Sequence, residues 1–362
     1  MNEIIYQLAL GKIEGVGHNL AKNILLQTGS AEEVFKAKRR TLAKLEGLGS
    51  IHINGIKQFK DFDQLQELIL KTDKLGIQYC SILDEEYPFR LRQISDPPLV
   101  LFFKGKGSLS PERSVGIVGT RQMTEYGLEN TRKLIEELAL VDLTVFSGMA
   151  YGVDVCAHRA CLNQNIATFG VMAHGLEQIQ PRAHTSVASK MLEQGGLISE
   201  CSIGAIPDKG QFPKRNRIIA GLVDVLLVVE SAAKGGSLIT AYFANQYNRE
   251  VMAVPGPLGA EFSIGCNRLI KQHRAHLLES AEDVFKLMNW QDHKKKAVQK
   301  SLPLDLSGKE LEVLKILGKD KVHLDYLLET TKWPIHQLSA LLLELEVKNC
   351  ISSLPGKRFK RL

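Results

Sequence analysis

From about residue 78 to residue 288, short apolar runs alternate with helix-length segments. The runs are Val115–Val118, Thr144–Phe146, Ala167–Val171, Gly196–Ser199, Val225–Val229 and Glu250–Val254. Between them lie amphipathic stretches near Leu128–Leu140, Asp154–Asn163, Thr185–Gln194 and Leu238–Tyr247. A strand with one wet face alternates apolar and polar residues, whereas a near-continuous apolar run is buried on both faces. Such runs separated by helices predict an α/β fold, a Rossmann-like parallel sheet covered on each side.

Both flanks read differently. Residues 1–66 form short helices around two similar turns, Ile13-Glu14-Gly15-Val16-Gly17 and Leu45-Glu46-Gly47-Leu48-Gly49. Each has the apolar-x-Gly-apolar-Gly pattern of a helix-hairpin-helix unit. Its glycines permit a tight turn, and the next helix begins with free amides. Such amides can hold a phosphate, although these units also serve as plain scaffolds. Ser280-Ala281-Glu282-Asp283 caps a helix ending near Met288, and the polar stretch 289–304, with Lys294-Lys295-Lys296, reads as a linker. Residues 305–362 hold three short helices, near Glu310–Leu317, Leu324–Thr330 and Pro334–Lys348, and then a basic, hairpin-like end. That order predicts a winged helix. The central domain is thus expected over 67–288.

Composition narrows the class. With 44% apolar and 24% charged residues the chain is an ordinary globular one. No apolar run approaches the ~18–20 residues that a membrane span needs, and Met1-Asn2-Glu3 does not open a secretory signal, so a cytoplasmic location is expected. The six cysteines are scattered without a C-x-x-C pair, and neither a metal nor a cofactor site is expected. Net charge is +6, and residues 291–362 carry most of it, with 14 Lys or Arg against 9 acidic residues. A basic tail suits a polyanionic partner.

In open parallel sheets, ligands sit outside the carboxyl ends of the strands. There the sequence places Gly119-Thr120-Arg121, Ser147-Gly148 leading to Asp154, and Lys234-Gly235-Gly236-Ser237. Phe212-Pro213-Lys214-Arg215-Asn216-Arg217 precedes the fifth run. Gly-rich turns and helix N-termini cradle phosphate oxygens, and Arg121, Lys214, Arg215, Arg217 and Lys234 would add charge. The dinucleotide fingerprint, the Walker loop and the nucleophile elbow are all missing. Asp154 and His158 stand four apart on one helix, a spacing that suits a helix-face contact as well as acid–base work.

These blocks carry a family resemblance. Gly116-Ile117-Val118-Gly119-Thr120-Arg121 with Tyr126-Gly127 resembles the opening of the DprA/Smf family. So do Ser147-Gly148-Met149-Ala150-Tyr151-Gly152-Val153-Asp154 with His158, the Phe212–Gly221 block, Gly235-Gly236-Ser237-Leu238-Ile239-Thr240-Ala241 and Val254-Pro255-Gly256. The match runs in order over roughly Tyr87 to Met288. It departs at Gln180-Pro181, where the family often has Tyr-Pro, and at His273-Arg274-Ala275, where Gly-Ala is common.

The resemblance implies a non-catalytic protein that binds single-stranded DNA, dimerises through its Rossmann domain and loads RecA recombinase. It also implies protection of incoming DNA during natural transformation. By that match Arg121, Lys214, Arg215, Arg217 and Lys234 contact the backbone, and Phe212 offers a stacking surface. Gly119, Thr120, Ser147, Gly148, Asn216, Gly235, Gly236 and Ser237 complete the expected DNA-binding set. The alternative is a nucleotide-processing enzyme, resembling phosphoribohydrolases with P-G-G-x-G-T and a catalytic Glu. Here Lys234–Thr240 lacks the carboxylate in that place. A transcription factor acting through the winged helix is a further alternative, but Glu344 and Glu346 leave its third helix few base-reading groups.

Overall fold

The structure is a computed structural model. It describes residues 2–205, 208, 210–290, 307–317, 322–348, 350–354 and 356–361. The chain divides into two compact units, Met1–Lys296 and Ala297–Leu362. Apart from Asn289 and Trp290, the stretch 289–304 read as a linker lies outside the described residues.

The first unit opens with helices α1 (Glu3–Gly11), α2 (His18–Thr28), α3 (Ala31–Lys36), α4 (Arg39–Leu42), α5 (Ser50–Gln58) and α6 (Phe62–Lys74). The two glycine turns link α1 to α2 and α4 to α5. Gly15 and Gly47 take φ of +80° and +86°, and Gly17 and Gly49 begin the following helices. The turns face one another. A Cβ on Gly15 would press on the His52 ring, and one on Gly47 would press on Leu20. Both partners are offset by the same 32 residues, so the hairpins form a pseudo-symmetric pair. Tyr6, Phe35, Phe59 and Phe62 close the domain with tilted and edge-on ring contacts of 5.0–5.9 Å.

Next come β1 (Gln78–Ser81), α7 (Phe89–Gln93), β2 (Val100–Gly105), β3 (Ser114–Val118), α8 (Glu125–Leu138), β4 (Thr144–Ser147) and α9 (Val153–Asn163). They are followed by β5 (Ala167–Met172), α10 (Thr185–Gln194), β6 (Gly196–Ser199), α11 (Gln211–Leu222) and β7 (Val225–Val228). The unit ends with α12 (Ser237–Gln246), β8 (Glu250–Ala253), α13 (Ile264–Lys271), β9 (His276–Leu277) and α14 (Ala281–Leu287). The nine strands form one sheet in the order β1-β2-β6-β5-β4-β3-β7-β8-β9. From β6 to β9 it is parallel, while β1 and β2 extend it antiparallel. The chain winds outward from β3 in both directions, so the topological switch point lies between β3 and β7.

Each of the six expected strands is present. The antiparallel extension, β9 and the helical state of Phe212–Arg217 were not anticipated. Pro213 sits in the first turn of α11, where a missing N–H leaves no bond unmade, so it does not stop the helix. The helical domain packs on this body. Lys22 Nζ donates to the carbonyls of Arg92 at 3.1 Å and Ile94 at 2.9 Å, at the end of α7.

The second unit has α15 (Gly308–Leu317), β10 (Val322–His323), α16 (Leu324–Thr331), α17 (Ile335–Val347), β11 (Ile351–Leu354) and β12 (Arg358–Arg361). Its small sheet is antiparallel in the order β10-β12-β11, the winged-helix arrangement. Val313, Leu317, Leu327, Leu338, Leu345 and Ile351 fill its core. Among the described residues of both units, no helix is long and apolar enough to cross a membrane.

Candidate nucleic-acid interface

The loops at the carboxyl edge of the sheet are tied to one another by buried polar groups. Thr120 N donates to the Glu230 carbonyl at 2.8 Å, and Val153 N donates to the Thr120 carbonyl at 3.2 Å. The Glu230 carboxylate accepts from Thr124 N at 3.0 Å and Thr124 Oγ1 at 2.5 Å, fixing the loop between β3 and α8. Gly152, with φ +79°, lies so close to Thr120 that a Cβ would overlap its carbonyl oxygen.

The loop after β4 is braced from below. Ser147 Oγ donates to the Ile117 carbonyl at 2.5 Å, so this hydroxyl is engaged inside the sheet. His158 Nε2 lies 2.6 Å from the Gly148 carbonyl, which can only accept, so this nitrogen carries the proton. His158 Nδ1 lies 2.7 Å from Thr168 Oγ1. Asp154 Oδ2 accepts from Ala150 N at 3.4 Å. Asp154 and His158 therefore both hold the 147–152 turn, the helix-face role, and both are buried.

Burial acts on this pair in opposite senses. It pushes the Asp154 carboxyl up to about 6, against the attraction of Arg215. It pulls His158 down to about 4. An acid whose folded pKa is raised gains stability as the pH falls towards its ordinary value of 3.8. A histidine held neutral loses stability as the pH falls below its ordinary 6.5. Between these limits the two oppose. Asp154→Asn removes the first effect, so the variant is expected to lose about 2 kcal/mol more than the parent between pH 6 and pH 4. Denaturant unfolding across that range checks it, and parallel curves would refute it.

The five expected phosphate contacts separate into two groups. Arg121, Lys214 and Lys234 are exposed. The Arg121 guanidinium lies over the Phe212 ring, 5.2 Å from its centroid. Asn216 Nδ2 donates to the Gly236 carbonyl at 3.4 Å, bringing the start of α11 beside the Lys234 turn. Ser237 Oγ donates to Ser231 Oγ at 2.9 Å and is buried there.

Arg215 and Arg217 are buried, and in this structure both guanidinium groups are engaged within the protein. Arg215 donates to the Val171 carbonyl and lies against Gly148 beside Asp154, so it is part of the floor and not a group above it. Arg217 points elsewhere. It pairs with Glu200, lies 3.7 Å from the Asp96 carboxylate, and donates to the Asp96 carbonyl at 2.6 Å. Its Nη2 also reaches His18 Nε2 at 3.1 Å, linking α11 to the helical domain. The helix turns adjacent charges through about 100°, and only the surroundings decide which become internal.

Between the loops after β4 and β5 and the start of α11 lies a cleft of about 200 Å³. Its walls include Arg121, Met149, Tyr151, Pro181, Phe212 and His174. His184 Nδ1, 2.9 Å from the Met149 carbonyl, holds one wall, and its ring meets Tyr151 edge-on at 4.8 Å. The rule that ligands gather beyond strand ends covers residues 173–181 as well, yet nothing but position marks His174 in the sequence. Among the described residues, no cluster of His, Cys, Asp or Glu is placed to hold a metal.

A doubly wound, mostly parallel sheet with helices on both faces, followed by a separate winged-helix unit, places the chain in the Rossmann class. The chain matches the family described as DNA recombination-mediator protein A over residues 78–289, and the DprA winged helix domain over 297–357. It therefore belongs to the DNA recombination-mediator protein A family, DprA/Smf. It is 31% identical to Protein Smf of Synechocystis over 99% of each chain. With the DNA processing protein DprA of Bacillus subtilis it shares 41% identity over 64% of this chain and 77% of the relative. The X-ray structure of DprA from Streptococcus pneumoniae superposes with a TM-score of 0.67 at 32% identity, covering 79% of this chain and 97% of that one. A structure concerned with the single-stranded DNA binding mode of DNA processing protein A from Helicobacter pylori gives 0.54 at 28% identity, covering 60% and 98%.

Proposed function

We propose that this chain binds single-stranded DNA at the carboxyl edge of its Rossmann sheet, without catalysing a reaction on it. The observation that carries the reading is Arg121 laid over Phe212 at the mouth of an apolar cleft, with Lys214 and Lys234 exposed alongside. Single-strand binders combine aromatic faces for the bases with positive charge for the backbone. The H. pylori relative supports the same ligand class. On the family resemblance, the protein acts in the cytoplasm as a homodimer, protects incoming DNA during transformation and loads RecA onto it. The hydrolase alternative is weaker, because Thr124 already occupies both oxygens of Glu230, the carboxylate after β7.

The test is fluorescence anisotropy of labelled oligo-dT and a duplex of equal length across a salt series. Tight, salt-sensitive preference for the single strand is expected. Equal or absent binding would reject the reading. Lys234→Ala is expected to weaken binding on every sequence and to reduce the salt slope by about one. A shortened chain ending at residue 290 is expected to keep single-strand binding, because the cleft and its charges lie in the first unit. A folded 1–290 protein that no longer binds would show the winged helix to be required.

A further inference from the structure

His174 is 3% exposed and borders the cleft. Its Nδ1 lies 2.8 Å from the Gly175 carbonyl. A carbonyl can only accept, so Nδ1 carries a proton, and in the neutral tautomer that has this proton Nε2 is an acceptor. That nitrogen is buried and has no hydrogen-bond partner among the described residues. Nearby polar groups are satisfied: Ser199 Oγ donates to the His174 carbonyl at 2.7 Å, and Arg215, which lines the same cleft, donates to the Val171 carbonyl. A buried acceptor left unpaired destabilises the fold, so an orphan on a residue that lines an open cleft points to a ligand that donates.

We propose that His174 Nε2 accepts a hydrogen bond from the Watson–Crick edge of an unpaired base seated in the cleft. This rests on the single-strand reading above. Every nucleobase carries an N–H on that edge: the imino group of thymine, the ring N–H of guanine, the amino groups of adenine and cytosine. One acceptor therefore serves all four bases and reads no sequence. In a duplex the same N–H is already committed to the opposite strand. His174 is thus a residue that senses whether a base is paired, while Arg121 and Phe212 supply the stacking surface.

The test uses the full chain and two labelled oligomers: oligo-dT, and the same oligomer with every thymine methylated at its imino nitrogen. Methylation removes the donor and leaves the backbone and the ring face. The parent protein is expected to bind the methylated strand about tenfold more weakly. His174→Ala is expected to bind both strands equally, and His174→Asn, whose amide oxygen also accepts, to recover part of the preference. Equal affinity of the parent for both strands overturns the proposal without any variant being needed. So does a His174→Ala protein that keeps the full preference, since shape alone would then exclude the methyl group. Failure to bind either strand overturns the single-strand reading itself.

Discussion

Arg217→Ala is expected to lower the stability of the first unit by about 3–5 kcal/mol, because it breaks a buried ion pair. Arg217 is 3% exposed, and it is the counter-charge to Glu200, whose side chain is only 12% exposed. Burial already raises the Glu200 carboxyl above its ordinary range, and Arg217 opposes that rise. Without the guanidinium, a carboxylate is left in a poorly solvated site, and the Asp96 carbonyl loses its donor at 2.6 Å. The variant's Glu200 takes up a proton more readily, and a protonated carboxyl has no charge to strand. The deficit relative to the parent should therefore shrink as the pH falls. Denaturant unfolding at two pH values checks both statements. A loss under about 1 kcal/mol would show that the pair contributes little.

Arg121→Ala and Phe212→Ala are each expected to weaken single-strand binding about tenfold, from a charge-assisted contact in one case and base stacking in the other. Only the arginine change should flatten the salt dependence, because only it removes a cation from the backbone's reach. The two side chains touch, at 5.2 Å from guanidinium carbon to ring centroid, so their effects should not add. The double variant is expected to fall short of a hundredfold loss. Anisotropy titrations of all four proteins measure the coupling. Strictly additive losses would mean that the arginine and the ring serve separate parts of the strand.

The doubly wound core was legible because its strands are near-continuous apolar runs. Each of β3 to β8 lies within one residue of the run that announced it. The strands that escaped notice lack that mark: β1 reads Gln-Tyr-Cys-Ser, and β9 is two exposed residues. β2 is apolar enough, but it joins the sheet antiparallel beside β6, a pairing that local patterning does not encode. The site was legible as a collection of loops and not as a geometry. Lys214, Arg215 and Arg217 look alike in sequence, and a charge is expected to face water. Their different fates are set by Val171, Glu200 and Asp96, which come from other parts of the chain. His174 shows the same limit, since an orphaned nitrogen is a property of surroundings and not of residue type.

The paired hairpins at the N-terminus have a consequence for how this segment can be exchanged between relatives. Gly15 makes room for His52, and Gly47 makes room for Leu20, so each half is cut to the shape of the other. A chimera that imports one hairpin alone brings a foreign side chain against a glycine fitted to its predecessor. The smallest transplantable piece is therefore the pair, and inherited changes at 15 and 52, or at 47 and 20, should travel together. The graft must also bring a lysine at 22 and a histidine at 18, the two bolts that fasten the segment to α7 and to α11.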